Sequence, residues 1–238
     1  MNKLLSSCAL VFVTLLCTQL VHAQSEQQLK TDLQKKLGAN AKVRSVSPAP
    51  VSGLYEVLVG NDIFYTDSTG KYLIQGEIIE LATGKNITEQ RQSDLNRIKW
   101  TDLSQANAIK TVRGNGSRQL AVFSDPNCGY CKRLEKSLQQ LDNVTIYTYL
   151  IPILSPDSAQ KSKQIWCSAD PYKSYMDWMI NGTAPSGKSD CSNPLDKNMA
   201  FAKSYGITGT PTLFFTDGSR FPGAVQITDI EKKFSSLK

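Results

Sequence analysis

Two thiols separated by two residues, Cys128-Gly129-Tyr130-Cys131, carry the strongest chemical signal in the sequence. The apolar run Gln119-Leu120-Ala121-Val122-Phe123 ahead of them reads as a strand, and Leu134, Leu138 and Leu141 behind them repeat at helical spacing. A cysteine at that junction lies at a helix N-terminus, where unpaired N–H groups and the positive end of the helix dipole stabilise a thiolate. Only the thiolate attacks a disulfide. A second cysteine three positions on is a near neighbour on the helix surface and can close a small ring with the first. Cys128 is therefore expected to attack and Cys131 to resolve. Lys132, Arg133 and Lys136 would add positive potential, or simply form a solvated helix face.

Two blander readings fail on chemistry. A four-sulfur zinc site would have to recruit Cys167 and Cys191, which do not form a second Cys-x-x-Cys knuckle. A purely structural bridge between Cys128 and Cys131 closes so short a loop that chain entropy gains little from it. Cys167 and Cys191 differ in kind: they bracket a long loop and carry no helix-start signature, so a structural role is expected of them. A bridge across a loop of that length contributes on the order of 3 kcal/mol. Trp166, Tyr172, Tyr175, Met176 and Met179, in the same stretch, read as core.

Residues 1–23 have the form of a secretory leader: Lys3, an apolar run from Leu4 to about Leu20, then Val21-His22-Ala23 before a polar segment. The run is short for a membrane span, which needs about 20 apolar residues. Leu5-Ser6-Ser7-Cys8 has the residue types of a lipoprotein signal, but its apolar core follows the cysteine instead of preceding it. Cleavage after Ala23 would remove Cys8, Cys17 and His22, the only histidine of the chain. Four cysteines would remain, an even number suited to two disulfides in an exported protein. Without imidazole, Cys-His and Ser-His catalysis and histidine-bearing zinc sites are excluded. The formal net charge of +6 is dispersed along the sequence, with no dense basic tract to mark a nucleic-acid partner.

The thiols need a scaffold, and the rest of the sequence supplies one in two parts. Ser25-Glu26-Gln27-Gln28 has capping-box spacing, Leu29, Leu33 and Leu37 fall four apart, and Gly38 follows, which together mark a short amphipathic helix. Val43 to Val46, Leu54 to Val59, Ile63 to Tyr65, Tyr72 to Ile74 and Glu77 to Leu81 read as strands of a meander. This α+β module, residues 24–85, lacks cysteines and is small enough that pairing with a second copy is expected. Residues 86–117 turn polar, and Leu103, Ala106, Ile109 and Val112, three apart, predict a helical linker. From residue 118 the pattern is strand, helix, and strand again at Val144 to Leu150, an α/β unit. A mostly helical stretch then runs to Tyr205, followed by a hairpin around Asp217-Gly218 and a closing helix near Thr228 to Leu237.

Phe123-Ser124-Asp125-Pro126-Asn127-Cys128-Gly129-Tyr130-Cys131-Lys132, with Ile207-Thr208-Gly209-Thr210-Pro211-Thr212 and Phe221-Pro222-Gly223, resembles the bacterial periplasmic disulfide isomerases of the DsbC family. The resemblance implies an N-terminal dimerisation domain at 24–85, a linker at 86–117, and a thioredoxin-like domain with a helical insertion at 118–238. It implies a V-shaped homodimer and a second disulfide at Cys167 and Cys191. It also implies a cis bond before Pro211, with Thr210 and Pro211 beside Cys128 to bind an extended substrate. Misfolded disulfide-containing exported proteins would be the clients and a membrane thiol reductase of the DsbD type the electron donor, with no cofactor or metal. Rival activities are reduction of single oxidised cysteines, as in DsbG-like proteins, or disulfide-independent chaperoning. Gly129-Tyr130 between the cysteines, where DsbG-like proteins have Pro-Tyr, favours the isomerase.

Overall fold

Strands whose side chains alternate between two faces bury both faces only if helices cover each side, and this requirement organises the chain. The computed structural model describes residues 26–237. The expected leader, residues 1–23, and the capping residue Ser25 lie outside them. Two compact units meet between Leu95 and Asn96. Among the described residues no helix is long and apolar enough to cross a membrane.

The first unit opens with helix α1, residues 26–37, which ends at Gly38 in the left-handed conformation (φ +80°). Strands β1 (Val43–Pro48), β2 (Leu54–Val59), β3 (Asp62–Asp67) and β4 (Leu73–Ile74) follow as an antiparallel meander in that spatial order. Leu29 and Leu33 of α1 pack against Val43, Val46 and Val57 on one face of this sheet. Leu58, Ile63 and Tyr65 form a second small cluster with Ile78 and Leu95. A two-stranded ribbon, β5 (Ile79–Glu80) with β6 (Lys85–Asn86), leads into helix α2 (Ile87–Leu95). The Tyr65 and Thr88 hydroxyls hydrogen-bond at 2.6 Å and Arg91 pairs with Glu56 at 3.2 Å, so α2 belongs to this unit.

In the second unit a five-stranded sheet has the order β11-β10-β8-β9-β7. Its members are β7 (Ile109–Arg113), β8 (Arg118–Ser124), β9 (Val144–Leu150), β10 (Thr212–Phe215) and β11 (Arg220–Pro222). Strands β8 and β9 are parallel, joined by helix α3 (Gly129–Leu138), while β7 and β10 run antiparallel to their neighbours. Leu120 and Val122 face a core with Leu134 and Leu138 of α3 and with Ile230 and Phe234 of helix α7 (Ile227–Ser236). Ala121 and Phe123 face the opposite core, with Phe214 and with Ala202 of helix α6 (Leu195–Ser204). Helices α4 (Pro156–Trp166) and α5 (Pro171–Asn181) complete the helical insertion between β9 and β10.

One expectation fails. The three-residue spacing from Leu103 to Val112 does not build a helix: two single 3₁₀ turns, Trp100–Asp102 and Gln105–Asn107, precede strand β7. Ile109, Thr111 and Val112 are β-branched, and β9 offers an open edge on which Ile109 pairs with Thr148 and Val112 with Thr145. Ile109 is buried while Val112 is exposed, so the spacing joins separate elements and no single helix face. The polar stretch 86–117 is thereby divided between the units, α2 with the first and β7 with the second. Gly218 fixes the start of the second part, because its O accepts the Ile98 N–H at 3.1 Å, where a Cβ would lie 2.1 Å from the Ile98 oxygen.

Candidate active site

Strand β8 delivers the chain into Asp125-Pro126-Asn127, and the local geometry follows from one buried carboxylate. Asp125 accepts the N–H of Asn127 at 2.8 Å and that of Leu154 at 3.0 Å, while its carbonyl accepts the Cys128 N–H at 3.0 Å. This tight turn sets Cys128 at the N-cap of α3 in an extended conformation. The Cys131 N–H donates to Cys128 Sγ at 3.3 Å, so the sulfur takes the place a capping oxygen normally fills. On its other side the Cys128 thiol donates to the Thr210 carbonyl at 3.2 Å. The Thr210–Pro211 peptide bond is cis.

The two sulfurs occupy different surroundings. Both carry free thiols and both are buried, whereas Tyr130 between them is 60% exposed. Burial pushes the Cys131 thiol up to about 12, against hydrogen bonds from the Asp125 backbone and the Ser124 hydroxyl that favour its thiolate. At neutral pH Cys131 holds its proton. The cations that follow have aromatic partners: Lys132 Nζ lies 3.6 Å from the centre of the Trp178 ring, and the Arg133 guanidinium 5.1 Å from that of Tyr130. Burial, then the charge of Lys161, holds the Lys132 ammonium below its ordinary range.

Helix α5 supplies two side chains, of which the sequence reading placed Tyr175 in the core and passed over Trp178. Trp178 Nε1–H donates to the Pro126 carbonyl at 2.6 Å, pinning the turn before Cys128. Tyr175 is fully buried; its hydroxyl donates to Glu135 Oε1 at 3.0 Å and shares a hydrogen bond of 2.9 Å with Ser124 Oγ. Glu135 sits on α3 one turn past Cys131, wholly buried, and burial pushes its carboxyl up to about 7 against the pull of the Tyr175 hydrogen bond and the Arg113 charge. A carboxylate at a position whose helical neighbours Leu134 and Leu138 are core is the signal that could have exposed it. Cys167 and Cys191 are bonded to each other, across a separation of 24 residues, and the loop they close contains all of α5.

Known proteins resemble the chain over both of its parts. Residues 105–238 match the thioredoxin-like domain family, and residues 20–89 match the disulfide bond isomerase protein N-terminal domain family. The chain is 42% identical over 181 residues to a probable thiol:disulfide interchange protein DsbC of Bordetella pertussis, covering 76% of this chain and 64% of that one. A protein of the same description from Bordetella avium is 39% identical over 194 residues, covering 82% and 69%. The chain thus spans somewhat under two thirds of the length of the first of these relatives. A crystal structure of a disulfide interchange protein from Neisseria gonorrhoeae superposes with a TM-score of 0.54 at 40% identity, over 56% of this chain and 97% of that one. With one family matched over each of its two parts, the chain belongs to the DsbC family of thiol:disulfide interchange proteins.

Proposed function

We propose that this protein is a periplasmic disulfide isomerase that rearranges non-native disulfides through Cys128. The observation that carries the reading is the position of Cys128 Sγ between the Cys131 N–H and the Thr210 carbonyl. The Cys128 thiolate attacks one sulfur of a client disulfide, forming a mixed disulfide and releasing the other client sulfur as a thiolate. A different client thiol can then attack the mixed disulfide, freeing Cys128 with no net change in oxidation state. Alternatively Cys131 attacks Cys128 Sγ, the client leaves reduced by two electrons, and a Cys128–Cys131 disulfide remains. An external dithiol, such as a membrane reductase of the DsbD type, must return those two electrons before the next cycle. Thr210 and Pro211 are the proposed rail for an extended client segment.

Residues 24–85, extended by α2, are proposed as the dimerisation domain and residues 118–238, extended by β7, as the catalytic domain, so that 86–117 is divided between them. Support for the pairing role lies in strand β4, an edge strand of the first sheet. It presents Leu73 and Ile74, both more than 40% exposed, beside exposed Tyr72. An apolar edge with unpaired backbone groups invites a second strand. Two Cys128 sites on one dimer raise the effective concentration for repeated attack on the same client.

Refolding of scrambled ribonuclease by the reduced full-length protein tests the reading. Activity should vanish in Cys128→Ser, and Cys131→Ser should accumulate mixed disulfides with the client. Undiminished refolding by Cys128→Ser would refute a thiol mechanism and leave a disulfide-independent chaperone.

A further inference from the structure

Resolution by Cys131 requires that this sulfur lose a proton, and the structure surrounds it with protein. Cys131 is 1% exposed, so bulk water is a poor acceptor. Beside Cys131 instead runs a hydrogen-bonded line of three groups, Ser124, Tyr175 and Glu135. The Ser124 hydroxyl favours the Cys131 thiolate as a hydrogen-bond donor. Ser124 Oγ is 2.9 Å from the Tyr175 hydroxyl, and Tyr175 donates to Glu135 Oε1 at 3.0 Å. Every member is buried, and each comes from a rigid element: Cys131 and Glu135 from α3, Ser124 from β8, Tyr175 from α5.

We infer that Glu135 is the proton acceptor for Cys131, reached through the Ser124 and Tyr175 hydroxyls, and that it controls the closing of the Cys128–Cys131 disulfide. The inference rests on the proposed exchange chemistry. As Cys131 turns to attack, its proton passes to Ser124 Oγ, the Ser124 proton to the Tyr175 oxygen, and the Tyr175 proton to Glu135 Oε1. Cys131–SH and a Glu135 carboxylate become a Cys131 thiolate and a Glu135 carboxylic acid. The thiolate then forms the bond to Cys128 Sγ as the client thiolate departs. Charge is conserved within the buried line, so no isolated negative charge is created there, a state that burial makes very costly.

The groups facing Glu135 suit this task. Tyr175 approaches from α5, Arg113 from β7, and Cys131 lies one turn back on α3. Burial outweighs the hydrogen bond from Tyr175 and the charge of Arg113, leaving the carboxyl at about 7, able to accept or release a proton at neutral pH. Glu135 acts through other groups and does not touch the client. Tyr175 is held on a helix inside the Cys167–Cys191 loop, so the second disulfide also steadies the relay.

Rapid mixing of the reduced full-length protein with oxidised glutathione separates the two steps. Attack by Cys128 is bimolecular, its rate proportional to the concentration of glutathione disulfide, and closure by Cys131 is independent of that concentration. In the wild type, closure should rise with pH and level off above about 7, where Glu135 is ionised. In Glu135→Gln and in Tyr175→Phe, closure at neutral pH should fall by about 100-fold and keep rising in proportion to hydroxide, with no plateau. The attack phase should change little in either variant. Tyr175→Phe removes one oxygen and leaves the carboxyl, so it decides the matter even where Glu135→Gln folds poorly. A wild-type plateau preserved in folded Tyr175→Phe or Glu135→Gln overturns the relay. An absent attack phase in the wild type would instead refute the underlying exchange chemistry, and the inference with it.

Discussion

The thiol of Cys128 donates a hydrogen bond to the carbonyl oxygen of Thr210 at 3.2 Å, across 82 positions of sequence. When the thiol ionises, that carbonyl loses its donor and faces a negative sulfur, so an N–H of an extended client is the natural replacement. The Thr210 hydroxyl is also buried, with no hydrogen-bond partner among the described residues. An unpaired buried hydroxyl is destabilising by about 1 kcal/mol or more. Thr210→Val should therefore raise unfolding stability in urea by about 1 kcal/mol. If the hydroxyl is kept for the client, the same variant should raise KM for a disulfide peptide by roughly fivefold, about 1 kcal/mol of lost binding. A stabilised variant with unchanged KM would show that the hydroxyl is idle.

Glu135 should make stability depend on pH in an unusual direction for a carboxylate. The folded chain keeps its proton up to about 7, whereas the ordinary value is 4.5. Between these values the folded chain binds more protons than the unfolded one. The stabilisation is complete below 4.5 and is lost as pH rises through 7. A separation of this size corresponds to about 3 kcal/mol. Glu135→Gln cannot titrate, so from about pH 4 to about pH 8 the wild type should lose about 3 kcal/mol relative to the variant. Urea titrations of the reduced proteins at the two pH values measure this, and parallel curves would mean that Glu135 is not held protonated.

What the sequence displayed and what it hid differ by the distance over which the decisive contact acts. Strand β8, helix α3 and strand β9 were legible because alternation, leucine spacing and the turn residues at 125–127 are local. So was the contrast between the Cys128–Cys131 pair and the distant Cys167 and Cys191. The placement of Thr210 and Pro211 came from resemblance alone, since nothing local to either segment ties it to Cys128. Glu135 was passed over, because its partner Tyr175 is 40 residues away and its core neighbours Leu134 and Leu138 were the only local signal. Trp178 was passed over because its N–H holds the Pro126 carbonyl from 52 residues off. Strand β7 was missed because its identity depends on the free edge of β9, which no count of apolar spacing within 103–112 can reveal.

Pairing through the first unit predicts a separable phenotype. Leu73 lies on edge strand β4, 42% exposed, and its substitution disturbs no buried cluster of the described residues. Leu73→Glu places a charge where an apolar partner is expected and should convert the dimer to monomer in sedimentation equilibrium. The sulfurs of the monomer remain intact, so reduction of a simple disulfide peptide should persist while refolding of scrambled ribonuclease falls by about tenfold or more, as the gain from two linked sites is lost. A wild-type monomer would refute pairing, and a dimeric Leu73→Glu would place the pairing surface elsewhere.

The Cys167–Cys191 bridge should matter to stability and to the active site through one helix. Chain entropy for a loop of this length assigns it about 3 kcal/mol, so Cys167→Ser with Cys191→Ser should lose that amount in urea unfolding. The loop also contains α5, whose Trp178 holds the Pro126 carbonyl and whose Tyr175 holds Glu135. Loosening α5 therefore removes support from the turn before Cys128 and from the carboxyl behind Cys131 together. Amide hydrogen exchange in the double variant should quicken at residues 171–181 and 125–129 while β9, whose ladders with β7 and β8 are independent of the bridge, keeps its protection. Closure of the Cys128–Cys131 disulfide should slow in the same protein even at urea concentrations far below its midpoint. Faster exchange confined to the loop, with closure at the wild-type rate, would reduce the bridge to a staple with no bearing on the thiols.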